Sequence, residues 1–136
     1  MNHEAHKAHE ELGEELEAIA RAVVDAGFNV HNELGPGLLE STYEHCLTYE
    51  LVNRGLSVRR QVGLPVLYKG LQLDAGYRLD MLVAEQLVLE VKVVDALTRV
   101  HQSQLMTYLK LSGFRLGFLM KFNVSLFKEG VRRIVM

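Results

Sequence analysis

Leu87-Val88-Leu89-Glu90-Val91-Lys92-Val93-Val94 decides the reading of this chain. It is an apolar run of strand character, broken by two charges that stand two positions apart. Side chains alternate across a strand, so Glu90 and Lys92 share one face. Burying charges costs free energy unless they are paired or bound to a metal. An edge strand with a solvated face, or a simple Glu–Lys pair, accounts for the stretch on its own.

Asp80 lies upstream, in Leu73-Asp74-Ala75-Gly76-Tyr77-Arg78-Leu79-Asp80-Met81, where period-two alternation predicts one half-buried strand. If Ala84-Glu85-Gln86 form a three-residue hairpin loop, Asp80 stands opposite Glu90 and Arg78 opposite Lys92. Two facing carboxylates repel unless a cation lies between them. A divalent ion with hard oxygen ligands resolves that repulsion, and Mg²⁺ typically takes one or two carboxylates together with waters and substrate phosphate. A loop one residue shorter would put the two acids on opposite faces and destroy the site.

Outward from this pair the period changes. Leu16, Ile19, Ala20, Val23, Val24 and Val30 recur at helical spacing, predicting a helix from about Glu14 to Glu33 that stops at Gly35-Pro36-Gly37. A second helix is expected over Leu38 to Arg54, with Gly55 as its C-cap. Leu56 to Val62 and Pro65 to Tyr68 read as short strands around a turn at Lys69-Gly70. Thr98 is a good N-cap for a third helix running to Gly113, and Phe114–Phe122 and Val131–Met136 read as closing strands. The order is α-α-β-β-β-β-α-β-β, an α/β fold with a mixed central sheet flanked by helices. No linker or internal repeat divides it. Residues 1–12 are expected to be a flexible polar tail and 13–136 one domain. His3, His6 and His9 are spaced three apart, but with no apolar face to anchor them a solvated tail explains them better than a metal site.

With 136 residues, 49% hydrophobic and 24% charged, the composition is that of an ordinary globular domain. No apolar run approaches the ~18 residues of a membrane span. The single Cys46 excludes an internal disulfide and fits a cytoplasmic location. The net charge of −2 conceals an asymmetry: residues 1–20 carry six acids against Lys7 alone, and the remainder has a net charge of +3. Such a body binds a phosphate backbone modestly and in a salt-sensitive way. No recognition helix, zinc knuckle or aromatic stacking platform is evident.

Asp80, a nine-residue gap and Glu90-Val91-Lys92 resemble the signature of the PD-(D/E)XK nuclease superfamily, with Leu79 in place of the usual proline. Gly37-Leu38-Leu39-Glu40-Ser41-Thr42-Tyr43 is similar to the GxxExxY motif of a group of small proteins in that superfamily, and Gln104-Leu105-Met106-Thr107-Tyr108 to the Gln-x-x-x-Tyr element of its RecB-like branch. The resemblance implies a restriction-endonuclease-like core with an extra N-terminal helix. It further implies Mg²⁺ or Mn²⁺ held by Asp80, Glu90 and the Val91 carbonyl, with Glu40 binding directly or through water. Lys92 would activate water or stabilise charge in the transition state, Gln104 and Tyr108 would orient a phosphate or the lysine, and the substrate would be DNA or RNA. Taken without the family, Glu40 is a first-turn partner of a helix dipole, Tyr43 a core residue, His101 a solvated residue or one supporting the site from behind, and Gln104 and Tyr108 an exposed helix stripe. The competing functions are a non-catalytic nucleic-acid-binding module and an assembly protein, which includes a homodimer.

Overall fold

The computed structural model describes residues 3–136, with side chains from Leu12 onward. The side chains of residues 1–11, and with them the spacing of His3, His6 and His9, lie outside the described residues; Leu12, which the sequence places in the tail, is buried, and the backbone is helical from His3 rather than from about Glu14.

Helix α1 spans His3–Leu34, with non-helical geometry at Gly13 (φ 81°, ψ 164°). Of its periodic residues, Leu16, Ile19, Ala20, Val23 and Val30 are buried and Val24 is partly buried against the same core, which Ala26 joins. The chain leaves the helix through Gly35 (φ 71°) and Gly37 (φ 102°), a left-handed region that glycine enters without steric cost. Helix α2 is Glu40–Asn53. At its end the Leu56 N–H returns to the Leu51 carbonyl (3.1 Å), closing over Gly55.

Strands β1 (Val58–Gly63), β4 (Arg78–Val83), β5 (Leu87–Lys92), β6 (Leu116–Lys121) and β7 (Val131–Val135) form one sheet in the order β1-β4-β5-β6-β7. Only β5 and β6 are parallel, and α3 (Arg99–Ser112) makes the crossover that a parallel pair needs. Thr98 caps α3 as expected, and the His101 side chain accepts the Thr98 N–H (3.0 Å), completing a capping box. Helices α1 and α2 cover one sheet face over Met81, Val83, Leu87, Leu89, Val91, Phe118 and Met120. Helix α3 covers the other through Leu105 and Leu109, which pack on Leu82, Val88 and Leu119. The result is a three-layer α/β/α arrangement around a mixed sheet.

One element departs from the sequence reading. The continuous strand expected over Leu73–Met81 is two strands: β3 (Leu71–Leu73) pairs with β2 (Val66–Tyr68) in a separate hairpin, and the sheet resumes only at Arg78. Gly76, at φ 81°, lies in the break. Alternation along 73–81 is carried by too few residues on either side to distinguish one strand from two.

The β4–β5 register is the one the carboxylate argument needs. Val83 faces Leu87, Leu82 faces Val88 and Met81 faces Leu89, leaving Ala84-Glu85-Gln86 as the loop. At the far edge, Gly130 joins a short 3-10 helix (Phe127–Gly130) to β7. A Cβ built on Gly130 would stand 2.1 Å from the Lys121 carbonyl oxygen. Backbone cannot yield as a side-chain end can, so Gly130→Ala should cost about 1–3 kcal/mol. A urea midpoint equal to wild type would contradict this packing.

Candidate metal centre

Backbone pairing between β4 and β5 runs only as far as Met81 and Leu89. Beyond it, side chains take over the ladder. The Asp80 N–H donates to Glu90 Oε2 (2.8 Å), and the Val91 N–H donates to Asp80 Oδ2 (3.0 Å). Each carboxylate therefore caps an amide of the opposite strand, which brings both acids to one place. The Arg78–Lys92 pairing expected from the register does not form: β4 has left β5 by then, Arg78 pairs with Gly63 of β1, and its guanidinium donates to the Gln61 carbonyl (3.4 Å).

The neighbouring strand is irregular at the same level. Gln61 has φ 52°, and it and Asp80 are skipped between the pairs Arg60–Met81 and Val62–Leu79. Met81 belongs to the core under α1 and α2, whereas Leu79, two residues earlier, belongs to the core under α3. Residues two apart in a regular strand share a face, so β4 turns over at Asp80. Val58 and Val62 divide in the same way on β1. The turnover sets Asp80 between the two helical layers, where groups on α2 and α3 both reach it electrostatically.

Those groups can be named. Glu90 is only 3% exposed. Burial first, and then the Asp80 charge, pushes its carboxyl up to about 8, against the opposing pull of the Asp80 amide and of Lys92. Burial likewise raises Asp80 to about 6; the Val91 amide and Lys92 oppose the rise, while Glu44 and Glu40 add to it. Lys92, half-buried at the end of β5, has no ion-pair partner among the described residues.

Glu40 begins α2. Its position is set by Tyr43, whose hydroxyl donates to the Gly35 carbonyl (2.7 Å) and accepts the Leu38 N–H (3.1 Å). The Tyr43 ring stacks on Phe122 at 4.3 Å. Tyr43 is thus a fully buried post that clasps the Gly35–Leu38 loop. Glu44, one turn beyond Glu40, is the group that sequence reasoning missed: it is 4% exposed, pairs with Arg60 (3.3 Å) and accepts from Gln61 Nε2 (3.2 Å). The available signal was an acid flanked by Tyr43 and Leu47 on the buried side of α2.

On α3, burial raises the Tyr108 phenol above its ordinary value, with smaller contributions from Glu90, Tyr77 and Asp80. Tyr108 packs against the cluster that includes Leu79, next to Asp80 on β4. Gln104, one turn earlier, is exposed and has no hydrogen bond to them, and His101 is occupied as a cap. Val91 is tied to the site through its N–H.

Hard-oxygen donors that disfavour joint ionisation suit a divalent cation such as Mg²⁺ or Mn²⁺. No group of three or more His, Cys, Asp or Glu that could hold a metal ion is present among the described residues. Asp80 and Glu90 would hold such a cation.

This chain belongs to the PD-(D/E)XK nuclease superfamily, whose family model matches residues 17–134 and so spans Glu40, Asp80, Glu90 and Lys92. No curated protein and no solved structure matches it significantly.

A carboxyl whose folded pKa is raised binds its proton more tightly folded than unfolded. Its contribution to stability is then greatest below the unfolded value and is lost as pH rises through the folded one. Without metal, melting temperature should fall as pH rises from about 4.5 toward about 8. Asp80→Asn, which keeps an acceptor for the Val91 amide, should flatten that slope and melt at least ~2 °C above wild type at the upper end. Calorimetry in a chelator checks this; a large loss of stability would make Asp80 a structural partner instead.

Proposed function

We propose that the protein is a divalent-metal-dependent nuclease that hydrolyses phosphodiester bonds of DNA or RNA. The reading rests above all on one observation: on adjacent strands, the half-buried Asp80 caps the Val91 amide and the buried Glu90 caps the Asp80 amide, beside a lysine without an ion-pair partner among the described residues. A bound Mg²⁺ or Mn²⁺ would neutralise charge developing on the phosphate and lower the pKa of water, several kcal/mol of barrier.

The chain's own residues supply the rest. Asp80 and the deprotonated Glu90 would hold the ion with the Val91 carbonyl as a further oxygen ligand, and Glu40, at the start of α2, would bind it directly or through water. The Lys92 ammonium, on the same strand face as Glu90, orients the attacking water and stabilises negative charge on the phosphoryl oxygens. Tyr108 bounds the site from α3 and, with Gln104, contacts the incoming phosphate. Glu44 holds Arg60 and Gln61 and thereby the irregular turn of β1 against Asp80. Within the superfamily, Gly37, Glu40 and Tyr43 support the group with the GxxExxY motif, and Gln104 and Tyr108 support the RecB-like branch. Residues 13–136 act as one catalytic domain, and the cytoplasm is the compartment that the lone cysteine favours.

Lys92→Ala should reduce hydrolysis by roughly 10²–10⁴-fold, the range for a positioned proton-handling group. Affinity for nucleic acid should change far less, because a single phosphate contact is a fraction of the total. A cleavage assay beside a filter-binding assay, both with Mn²⁺ at fixed salt, measures the two. Equal cleavage by both proteins would reject the role of Lys92. Binding without cleavage by wild type would favour the non-catalytic nucleic-acid-binding module.

A further inference from the structure

Tyr77 and Tyr108 are far apart in the sequence but meet at the candidate site. Their ring centroids are 6.4 Å apart and their planes inclined by 56°. Tyr108 packs against the cluster that holds Leu79, the residue beside Asp80, and Tyr77 lies three residues before Asp80 in the chain. Tyr77 is 48% exposed. The two rings therefore run from the segment beside Asp80 out to solvent.

Tyr77 is also held firmly. The Leu64 N–H donates to its carbonyl (2.8 Å), closing the stem from which the β2–β3 hairpin projects, and Leu64 itself is buried. Arg78 follows Tyr77 in the chain and donates to the Gln61 carbonyl (3.4 Å), while Lys69 at the hairpin turn lies over the Tyr68 ring (5.4 Å). A half-exposed aromatic ring on a pinned backbone gains little from folding. It is, however, an aromatic surface with only two side-chain torsions to fix when a base settles on it, on a backbone already held by the Leu64 amide.

We propose that Tyr77, backed by Tyr108, is a base-stacking platform that makes unpaired nucleic acid the preferred substrate. This deepens the nuclease reading and rests on it for the position of the scissile phosphate. A phosphodiester held at Asp80 and Glu90 places the adjoining nucleotide toward the aromatic pair. In a duplex the faces of that base are covered by its neighbours, whereas in a single strand or an unpaired end a face is free to stack. Stacking is indifferent to base identity, since every base has a π-face.

The test measures fluorescence anisotropy of labelled oligothymidylate, oligouridylate and a DNA hairpin duplex, in Ca²⁺ at fixed salt, with Mn²⁺-dependent cleavage of the same three probes. Wild type should bind and cut the single strands in preference to the duplex. Tyr77→Ala should weaken single-strand affinity roughly 5- to 100-fold, the range for one base–aromatic stack, and change duplex affinity much less. Tyr77→Phe, which keeps the ring, should retain wild-type affinity, and all three proteins should melt alike. Equal single-strand affinity for wild type and Tyr77→Ala would overturn the platform, as would a wild-type protein that binds and cuts duplex better than single strands; the latter result leaves the nuclease reading standing. If wild type cuts none of the probes, the nuclease reading fails, while the binding series still decides whether Tyr77 stacks bases.

Discussion

The mutual capping of β4 and β5 by Asp80 and Glu90 is the constraint around which the rest is arranged. In an ordinary antiparallel pair these positions would exchange backbone hydrogen bonds. Here two carboxylates accept the amides instead, at 2.8 and 3.0 Å, and the strands cease to pair beyond them. A buried and a half-buried acid facing one another cannot both be charged at low cost, and burial together with the Asp80 charge raises the Glu90 carboxyl to about 8. The sheet thus carries a local electrostatic penalty at the one place where its hydrogen bonding is also irregular. Natural folds accept such a conflict where function requires it.

The surrounding elements deliver groups to that point. The turnover at Asp80 and Gln61 opens the sheet to both helical layers at once. From one side, the Tyr43 hydroxyl and its stack on Phe122 fix the loop before α2, so that Glu40 and Glu44 approach with the first turns of the helix. From the other, α3 presents Tyr108, and the β2–β3 hairpin stem presents Tyr77. The same α3 is the crossover that makes β5 and β6 parallel. Fold and site therefore share their supports. The groove of about 900 Å³ between α1 and the β6–β7 side, lined by Phe28, Leu126 and Phe127, has no lining residue in common with this centre.

Much of this was legible in the sequence because it depends on period and on local turn chemistry. The β4–β5 register was legible only on the condition that Asp80 and Glu90 share a cation, which selects the loop Ala84-Glu85-Gln86, and the helix limits came from Gly35-Pro36-Gly37, Thr98 and Gly55. What was not legible depends on tertiary geometry. The break between β3 and β4 at residues 74–77 is hidden within an alternating stretch. The exchange of sheet faces at Asp80 leaves no mark in hydropathy. Glu44 reads as a surface helix acid until Arg60 and Gln61 are brought to it. The Tyr77–Tyr108 pair joins residues that no local pattern relates, which is why no stacking platform was evident from the sequence.

Whether Asp80 and Glu90 are a divalent-cation site is decided by a crystal soaked in Mn²⁺, through the anomalous signal of the ion. One strong peak is expected between the two carboxylates, at about 2.0–2.3 Å from an oxygen of each, with both acids turned toward it. Ordered density for both side chains at saturating Mn²⁺, with no peak between them and the caps on the Asp80 and Val91 amides intact, would contradict such a site.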